Sequence, residues 1–335
     1  MALVGLEELR AARQRIAGVA VRTPLVPAPW ADEGERRLWL KPENLQPTGA
    51  FKTRGAYNRL AALTEGERAR GVVAQSSGNH AQAVAYAAAL LGIKAVIVMP
   101  DTSPAVKVES TRGFGAEVVL VSPEERDTLP AELAERHGYV WVPPYDDPFI
   151  IAGQGTVGLE IAEDAPAGLD TVLVPVSGGG LISGTAAALK LTRPGIRVIG
   201  VEPELAADAQ ASFRAGRRLA WPVADTYRTI ADGLRTPSVG ELPFEHLTAY
   251  VDDIVTVTED EIRATVALLA RRGRLVAEPS GAVAPAAYFH RAAETGGRTV
   301  AAVVSGGNID PALLAELLSD RPEPKGAPVP KVTSD

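Results

Sequence analysis

Short, continuous apolar runs alternate along this chain with longer stretches in which apolar side chains recur every three or four positions, the patterns of buried strands and of helices. Residues 72–74, 95–99, 118–121 and 139–142 read as strands, separated by helices over 81–91, 105–114 and 124–137. After the turn-rich stretch 143–148 a second round begins, with a helix over 156–162, strands over 171–176 and 197–201, and a helix over 181–191 between those strands. A strand over 254–257, helices over 259–272 and 282–293, a strand over 299–304 and a last helix over 311–318 complete it. Strands and helices in strict alternation build parallel sheets with helices on their faces. The pattern therefore predicts two open α/β lobes. Ahead of them a helix over 6–19 ends before Arg22-Thr23-Pro24, where Pro24 forces Thr23 out of helical geometry. A short strand at 38–40 then leads into a loop containing Asn44, Pro47 and Gly49, and a helix over 52–63 follows. Residues 321–335, proline-rich and without apolar period, are expected to form a disordered tail.

Composition narrows the functional classes. A chain of 335 residues exceeds the usual size of one core, in keeping with two lobes. Its 46% hydrophobic, 22% charged and 5% aromatic residues describe a globule rich in small aliphatic side chains. A net charge of −7 argues against nucleic-acid and anionic-membrane partners, both of which need a basic face. There is no cysteine, so disulfides, thiolate metal sites and a cysteine nucleophile are excluded. The first 20 residues read as an amphipathic helix and not as a secretion signal, and no apolar run reaches the ~18 residues of a membrane span, so a cytoplasmic protein is expected.

Candidate chemistry centres on Lys52, in Ala50-Phe51-Lys52-Thr53-Arg54-Gly55-Ala56. At a loop-to-helix junction and beside Arg54, this lysine is expected to favour the neutral, nucleophilic amine. Alone, such a lysine is far more often a solvated surface charge. Its weight comes from three turns in which a predicted strand runs into serine and glycine at the start of a helix or loop: Ser76-Ser77-Gly78-Asn79-His80, Ser177-Gly178-Gly179-Gly180-Leu181 and Ser305-Gly306-Gly307-Asn308. Glycine lets successive backbone N–H groups converge, and a following helix dipole favours an anion. None of the three fits the dinucleotide fingerprint or the nucleotide phosphate loop. A compact receptor for one phosphate, a Schiff-base lysine candidate and a receptor for a carboxylate together point to pyridoxal phosphate chemistry on a small amino acid. None of His80, His137, His246 and His290 is spaced from another histidine as zinc ligands are.

With Gly153-Gln154-Gly155-Thr156, these segments follow the order seen in the serine/threonine dehydratase and serine racemase family, and residues 6–318 resemble it throughout. The resemblance implies a fold type II pyridoxal phosphate enzyme, tryptophan synthase β-like, with two twisted-sheet lobes and the cofactor in the cleft between them. Residues 1–70 and 148–320 would form the large cofactor-binding domain and 71–147 a small mobile one. Lys52 would anchor the cofactor and act as base, and Ser177, Gly178, Gly179, Gly180 and Leu181 would bind its phosphate. Ser305 would contact the pyridine nitrogen, with Phe51 and Asn79 at the ring. Ser76, Ser77, Gly78, Asn79 and His80 would receive the substrate carboxylate, and Ser77 would also serve as acid/base on the face opposite Lys52. Glu202, Asp208 and the carbonyl of Ala206 match a divalent-cation site suited to Mg2+ or Ca2+; two solvated acids are the plainer reading of those residues alone.

The implied activity is dehydration and deamination of a β-hydroxy amino acid such as L-threonine or L-serine, in a homodimer. Serine racemase, hydroxyaspartate dehydratase and a cofactor-binding regulator without turnover are the alternatives. Tyr145 stands where the racemases carry asparagine, which favours a dehydratase. Arg126 aligns with an arginine that relatives use near the substrate, although a surface helix arginine is its plainer reading.

Overall fold

The computed structural model describes residues 2–319, apart from 77, 104, 123, 124, 126 and 127 and the side chain of Val106. Its strands are β1 (Val26–Pro27), β2 (Arg37–Pro42), β3 (Val72–Gln75), β4 (Ala95–Pro100), β5 (Glu117–Val121), β6 (Val140–Trp141), β7 (Leu169–Pro175), β8 (Arg197–Pro203), β9 (Asp253–Val257) and β10 (Thr299–Val304). They form two sheets, one ordered β1-β2-β10-β7-β8-β9 and one ordered β5-β4-β3-β6. Every pairing is parallel except that of β1 with β2. The apolar runs of β4, β7 and β10 are buried because helices cover both faces of a parallel sheet.

The six-stranded sheet divides two apolar layers. Leu38, Leu40, Leu173, Ile199, Val300 and Ala302 pack towards the helix Pro279–His290. Val172, Val174, Val198, Ala301 and Val303 pack towards the helices Pro148–Asp164 and Gly180–Thr192. The four-stranded sheet has its own core, in which Val72, Ala74 and Ile97 meet Ala81, Val84 and Ala88 of the helix Asn79–Leu91.

One helix begins well before its predicted start. Residues Pro148–Asp164 are helical, not only 156–162, and Asp147 caps them by accepting from the N–H groups of Phe149 and Ile150. Gly153 and Gly155 are not breakers here but sites of close approach: a Cβ at Gly153 would sit 2.7 Å from the Arg54 carbonyl oxygen, and one at Gly155 2.7 Å from that of Gly184. Three helices, Lys52–Ala61, Pro148–Asp164 and Gly180–Thr192, thus pack backbone to backbone. The last predicted helix of the small sheet is observed as Leu129–His137, and Glu259–Leu268 continues into a wider π turn, Leu269–Gly273. Among the described residues no helix is long and apolar enough to cross a membrane.

Candidate active site

The three serine-glycine turns follow the carboxyl ends of β3, β7 and β10, where ligands bind in open α/β sheets. The loop preceding Lys52 is stitched to the third: Phe51 N donates to the Ser305 carbonyl at 3.0 Å and Gly307 N to that of Gly49 at 2.9 Å. Lys52 opens the helix Lys52–Ala61. Its ammonium donates to the Pro144 carbonyl at 2.6 Å, and burial pushes its pKa down to about 7.

Arg54 plays no part in that shift. Side chains two apart on a helix face different ways, and Arg54 turns into the protein, fully buried between Glu43 and Glu160. The lysine is made a weaker base by desolvation alone, which corrects the expectation that its basic neighbour contributes.

The second turn is shaped for a compact anion. Ser177 adopts the left-handed region at φ 54°, its hydroxyl meets that of Thr236, and Gly179 follows at φ 91° before the helix Gly180–Thr192 begins. A Cβ at Gly178 would collide with the ring of Tyr145, and one at Gly180 would lie 2.7 Å from Oε1 of Gln154. Neither Nε2 nor Oε1 of the fully buried Gln154 has a hydrogen-bond partner. An orphaned amide beside a glycine loop fits a polar ligand group at that place. Sequence reading passed over Gln154 as a binding residue, although it lies inside a quoted motif.

At the first turn, Gly78 N donates to Oγ of Ser76 at 3.1 Å, and Asn79 begins the helix Asn79–Leu91. Nε2 of the buried His80 bonds the Val142 carbonyl at 3.0 Å, while Nδ1 has no partner. Burial, with the Lys52 charge nearby, drops the His80 pKa to about 3, so this imidazole stays neutral. Asn79 joins the turns of both sheets: its amide nitrogen bonds Glu278, and its amide oxygen accepts from Asn308 at 2.8 Å. Ser305 is buried, its hydroxyl 3.4 Å from the Ser280 carbonyl. Phe51, half-buried, has its ring centroid 5.1 Å from the Lys52 nitrogen. Ser77, Arg126 and residues 321–335 lie outside the described residues.

Hydrogen bonds thus join the Phe51-Lys52 segment to Ser305 and to Pro144, and Asn79 to Asn308, while Tyr145, next to Pro144, lies against Gly178 and Gly180. A family profile described as "Pyridoxal-phosphate dependent enzyme" matches residues 16–306. The chain belongs to that family. It is 44% identical over 322 residues to the L-threonine ammonia-lyase of Thermotoga maritima, covering 95% of this chain and 79% of that protein. It is 41% identical over 313 residues to the L-threo-3-hydroxyaspartate ammonia-lyase of Saccharomyces cerevisiae, covering 92% and 95%. The solved structure of maize serine racemase superposes with a TM-score of 0.89 at 37% identity, covering 95% of this chain and 98% of that one. With these neighbours the fold is that of the fold type II pyridoxal phosphate enzymes.

Glu202, near the end of β8, and Asp208 both have no exposed surface, as has Ala206, and the two carboxyls are near enough for the Asp208 charge to act on Glu202. Of their four carboxylate oxygens only Oε2 of Glu202 is bonded, by Gln210 N at 2.8 Å; the other three have no partner. Burial and then the Asp208 charge raise Glu202 well above the usual carboxylate range, and burial brings Asp208 up to about 7. Among the described residues no three His, Cys, Asp or Glu side chains converge to hold a metal, so a cation here would complete its shell with carbonyl and water oxygens.

Proposed function

We propose that this protein is a pyridoxal phosphate-dependent ammonia-lyase that converts a β-hydroxy amino acid, L-threonine or L-serine, to a 2-oxo acid and ammonia. The observation that carries the reading is a desolvated Lys52, its pKa near 7, between strand-end turns of the two sheets, in a chain this similar to a threonine ammonia-lyase. Pyridoxal phosphate, when bound, supplies an electron sink that acidifies the α-carbon of an attached amino acid. Ser177, the three glycines after it and Leu181 would hold the phosphate, since the dipole of the helix Gly180–Thr192 favours an anion at its start. Lys52, whose pKa burial brings down to about 7, takes the α-proton in its unprotonated form. Ser305 and Asn79 would meet the ring with neutral side chains, and Phe51 would border it. The turn of Ser76, Ser77, Gly78, Asn79 and His80 receives the substrate carboxylate through backbone N–H groups. Arg126 is assigned to the substrate's surroundings.

The enzyme acts in the cytoplasm as a homodimer, on the family resemblance. Division into a large domain, 1–70 with 148–320, and a small mobile one, 71–147, is supported by sheet membership, since β3 to β6 all fall within the latter span.

Racemisation is the second reading, favoured by Ser77 in the sequence and the close likeness to a serine racemase structure. One experiment separates them: both enantiomers of serine and threonine are followed for 2-oxo acid and enantiomer ratio in wild type and Ser77→Ala. We expect 2-oxo acid release to exceed inversion in the wild type. Ser77→Ala should suppress inversion and D-substrate turnover while L-substrate elimination persists at a substantial fraction of its rate. Inversion outpacing elimination would reassign the protein as a racemase, and equal loss of L and D activity would make Ser77 a positioning residue.

Glu202, Asp208 and the Ala206 carbonyl hold a divalent cation, Mg2+ or Ca2+, on this reading, which their three orphaned oxygens support. Both carboxyls have folded pKa values raised above their unfolded ones, so without metal they bind more protons when folded and stability falls as pH rises from about 4 through 7. Melting of chelator-treated protein should therefore drop between pH 5 and pH 8, and added cation should remove most of the drop. A melting curve indifferent to chelator, cation and Glu202→Ala would leave two acids with no metal.

A further inference from the structure

Two neighbouring aspartates, Asp146 and Asp147, cap two different helices. Asp147 accepts from Phe149 N at 2.8 Å and Ile150 N at 2.9 Å, at the start of the helix Pro148–Asp164. Asp146 is turned the other way and reaches the helix Glu241–Tyr250, 95 residues further on: Oδ2 accepts from Glu241 N at 2.8 Å and Oδ1 from Leu242 N at 3.0 Å. The residue before that helix is Gly240, which has no side chain to cap it, so these two N–H groups are satisfied from elsewhere in the chain. A Cβ at Gly240 would crowd the Asp146 carboxyl carbon at 3.0 Å, so glycine eases its approach. An ionised acceptor on two backbone donors at the positive end of a helix makes stronger bonds than a neutral one.

Both ends of this tie lead to the cofactor residues. On the Asp146 side, Pro144 lends its carbonyl to the Lys52 ammonium at 2.6 Å, and the Tyr145 ring lies against Gly178. On the helix side, Gly240 N donates to the Gly178 carbonyl at 3.1 Å, and a Cβ at Gly179 would sit 2.7 Å from Pro243. The acceptor for the lysine and the glycine loop thus come from separate segments, and the Asp146 carboxylate joins the first to the helix against which the second is packed. Asp147 leads elsewhere: beyond the helix it caps, its partner is Arg59, at 3.0 Å.

We propose that Asp146 is a positioning residue for cofactor capture: by capping the helix Glu241–Tyr250 it sets the Pro144 carbonyl at Lys52 and the Gly178 backbone in register with each other. The inference rests on the assignment of Lys52 and residues 177–181 to pyridoxal phosphate, and not on which amino acid is turned over.

The full-length apoprotein is titrated with pyridoxal phosphate, with Asp147→Ala as the matched control, since it too removes a carboxylate from two helix N–H groups. Both alanine variants should melt lower than the wild type, as the loss of either cap requires. Asp146→Ala should raise the apparent Kd for pyridoxal phosphate by ~10-fold or more, whereas Asp147→Ala should leave it within ~2-fold. Asp146→Asn, with one acceptor oxygen in place of two, should fall between them, at ~3-fold. Inorganic phosphate should raise the melting temperature of the wild-type apoprotein and of Asp147→Ala, and raise it less in Asp146→Ala. Equal losses of affinity in the two alanine variants would reduce Asp146 to a structural cap, and wild-type affinity in Asp146→Ala would leave it idle; either overturns the inference. If Asp146→Ala does not fold, wild-type affinity in Asp146→Asn overturns it. A wild-type apoprotein that takes up no pyridoxal phosphate would instead overturn the cofactor assignment itself.

Discussion

Lys52→Ala is expected to abolish the yellow colour of the purified protein and to lower 2-oxo acid release by roughly 10³-fold or more, the combined loss of a covalent anchor and a base. Folding should survive. Lys52 is the first residue of its helix and makes one hydrogen bond, to the Pro144 carbonyl, whereas the packing of that helix rests on Ala56 and Leu60. A melting temperature near that of the wild type, beside lost absorbance and turnover, would place the effect in chemistry and not in stability. The amine's own titration gives a second readout of the same residue. Only the unprotonated amine attacks an aldehyde, and burial brings this one from 10.5 to about 7. Attachment of pyridoxal phosphate to the apoprotein should therefore quicken as pH rises through about 7 and level off above it. A rate still climbing towards pH 10 would mean an ordinary, solvated lysine, and unchanged absorbance and turnover in the alanine variant would remove the centre of the functional reading.

The strands were legible because a parallel sheet covered on both faces demands uninterrupted apolar runs, and β4, β7 and β10 supply them. So were the ligand turns, since serine and glycine at strand ends leave a local signature. Helix starts were less so. Gly153 and Gly155 lower helix propensity, and only the opposing backbones of Arg54 and Gly184, distant in sequence, show why glycine is required within that helix. The helix Glu65–Arg70 could have been found from Thr64 and Glu67, which form a capping box. The short pairing of β1 with β2 carried no such signal: Val26 and Pro27 are both exposed. The tie from Asp146 to Glu241 and Leu242 was unreadable because nothing local relates such distant segments. The same is true of Arg54. Its place next to Lys52 invited an electrostatic role there, yet helical geometry sends it to Glu43 and Glu160.

Arg54→Leu is expected to destabilise the protein by roughly 3–5 kcal/mol, the scale for breaking a buried ion pair from one side. All five donors of the guanidinium are used: Nε on Glu43 at 2.7 Å, Nη1 on Thr156 at 3.1 Å and Glu160 at 2.6 Å, and Nη2 on Val21, Glu43 and Glu160 within 3.1 Å. Lys41, also without exposed surface, completes the set at 2.6 Å from Glu160. Two cations and two carboxylates balance. Burial alone would raise Glu43, but the Arg54 guanidinium, Lys41 and the Thr23 hydroxyl together outweigh it and hold the carboxyl below its usual range. Its contribution is therefore present above the unfolded value of 4.5 and lost as pH falls through the lower folded one. Leucine leaves the two carboxylates facing one lysine in a dry interior, with hydrogen-bond acceptors unfilled. Lys, which keeps the charge but not the planar fork, should recover only part of the loss. Neutralising Glu43 alone together with Arg54→Leu should recover more than neutralising Glu43 and Glu160 together, because Glu160 then still balances Lys41 at 2.6 Å, whereas removing both carboxylates leaves that buried lysine unpaired. Chemical denaturation with unchanged slope reads the differences directly. An Arg54→Leu variant within about 1 kcal/mol of the wild type would mean that water or a mobile neighbour already screens the quartet, and that the Lys52 segment is held by its backbone bonds to Ser305 and Gly307 alone.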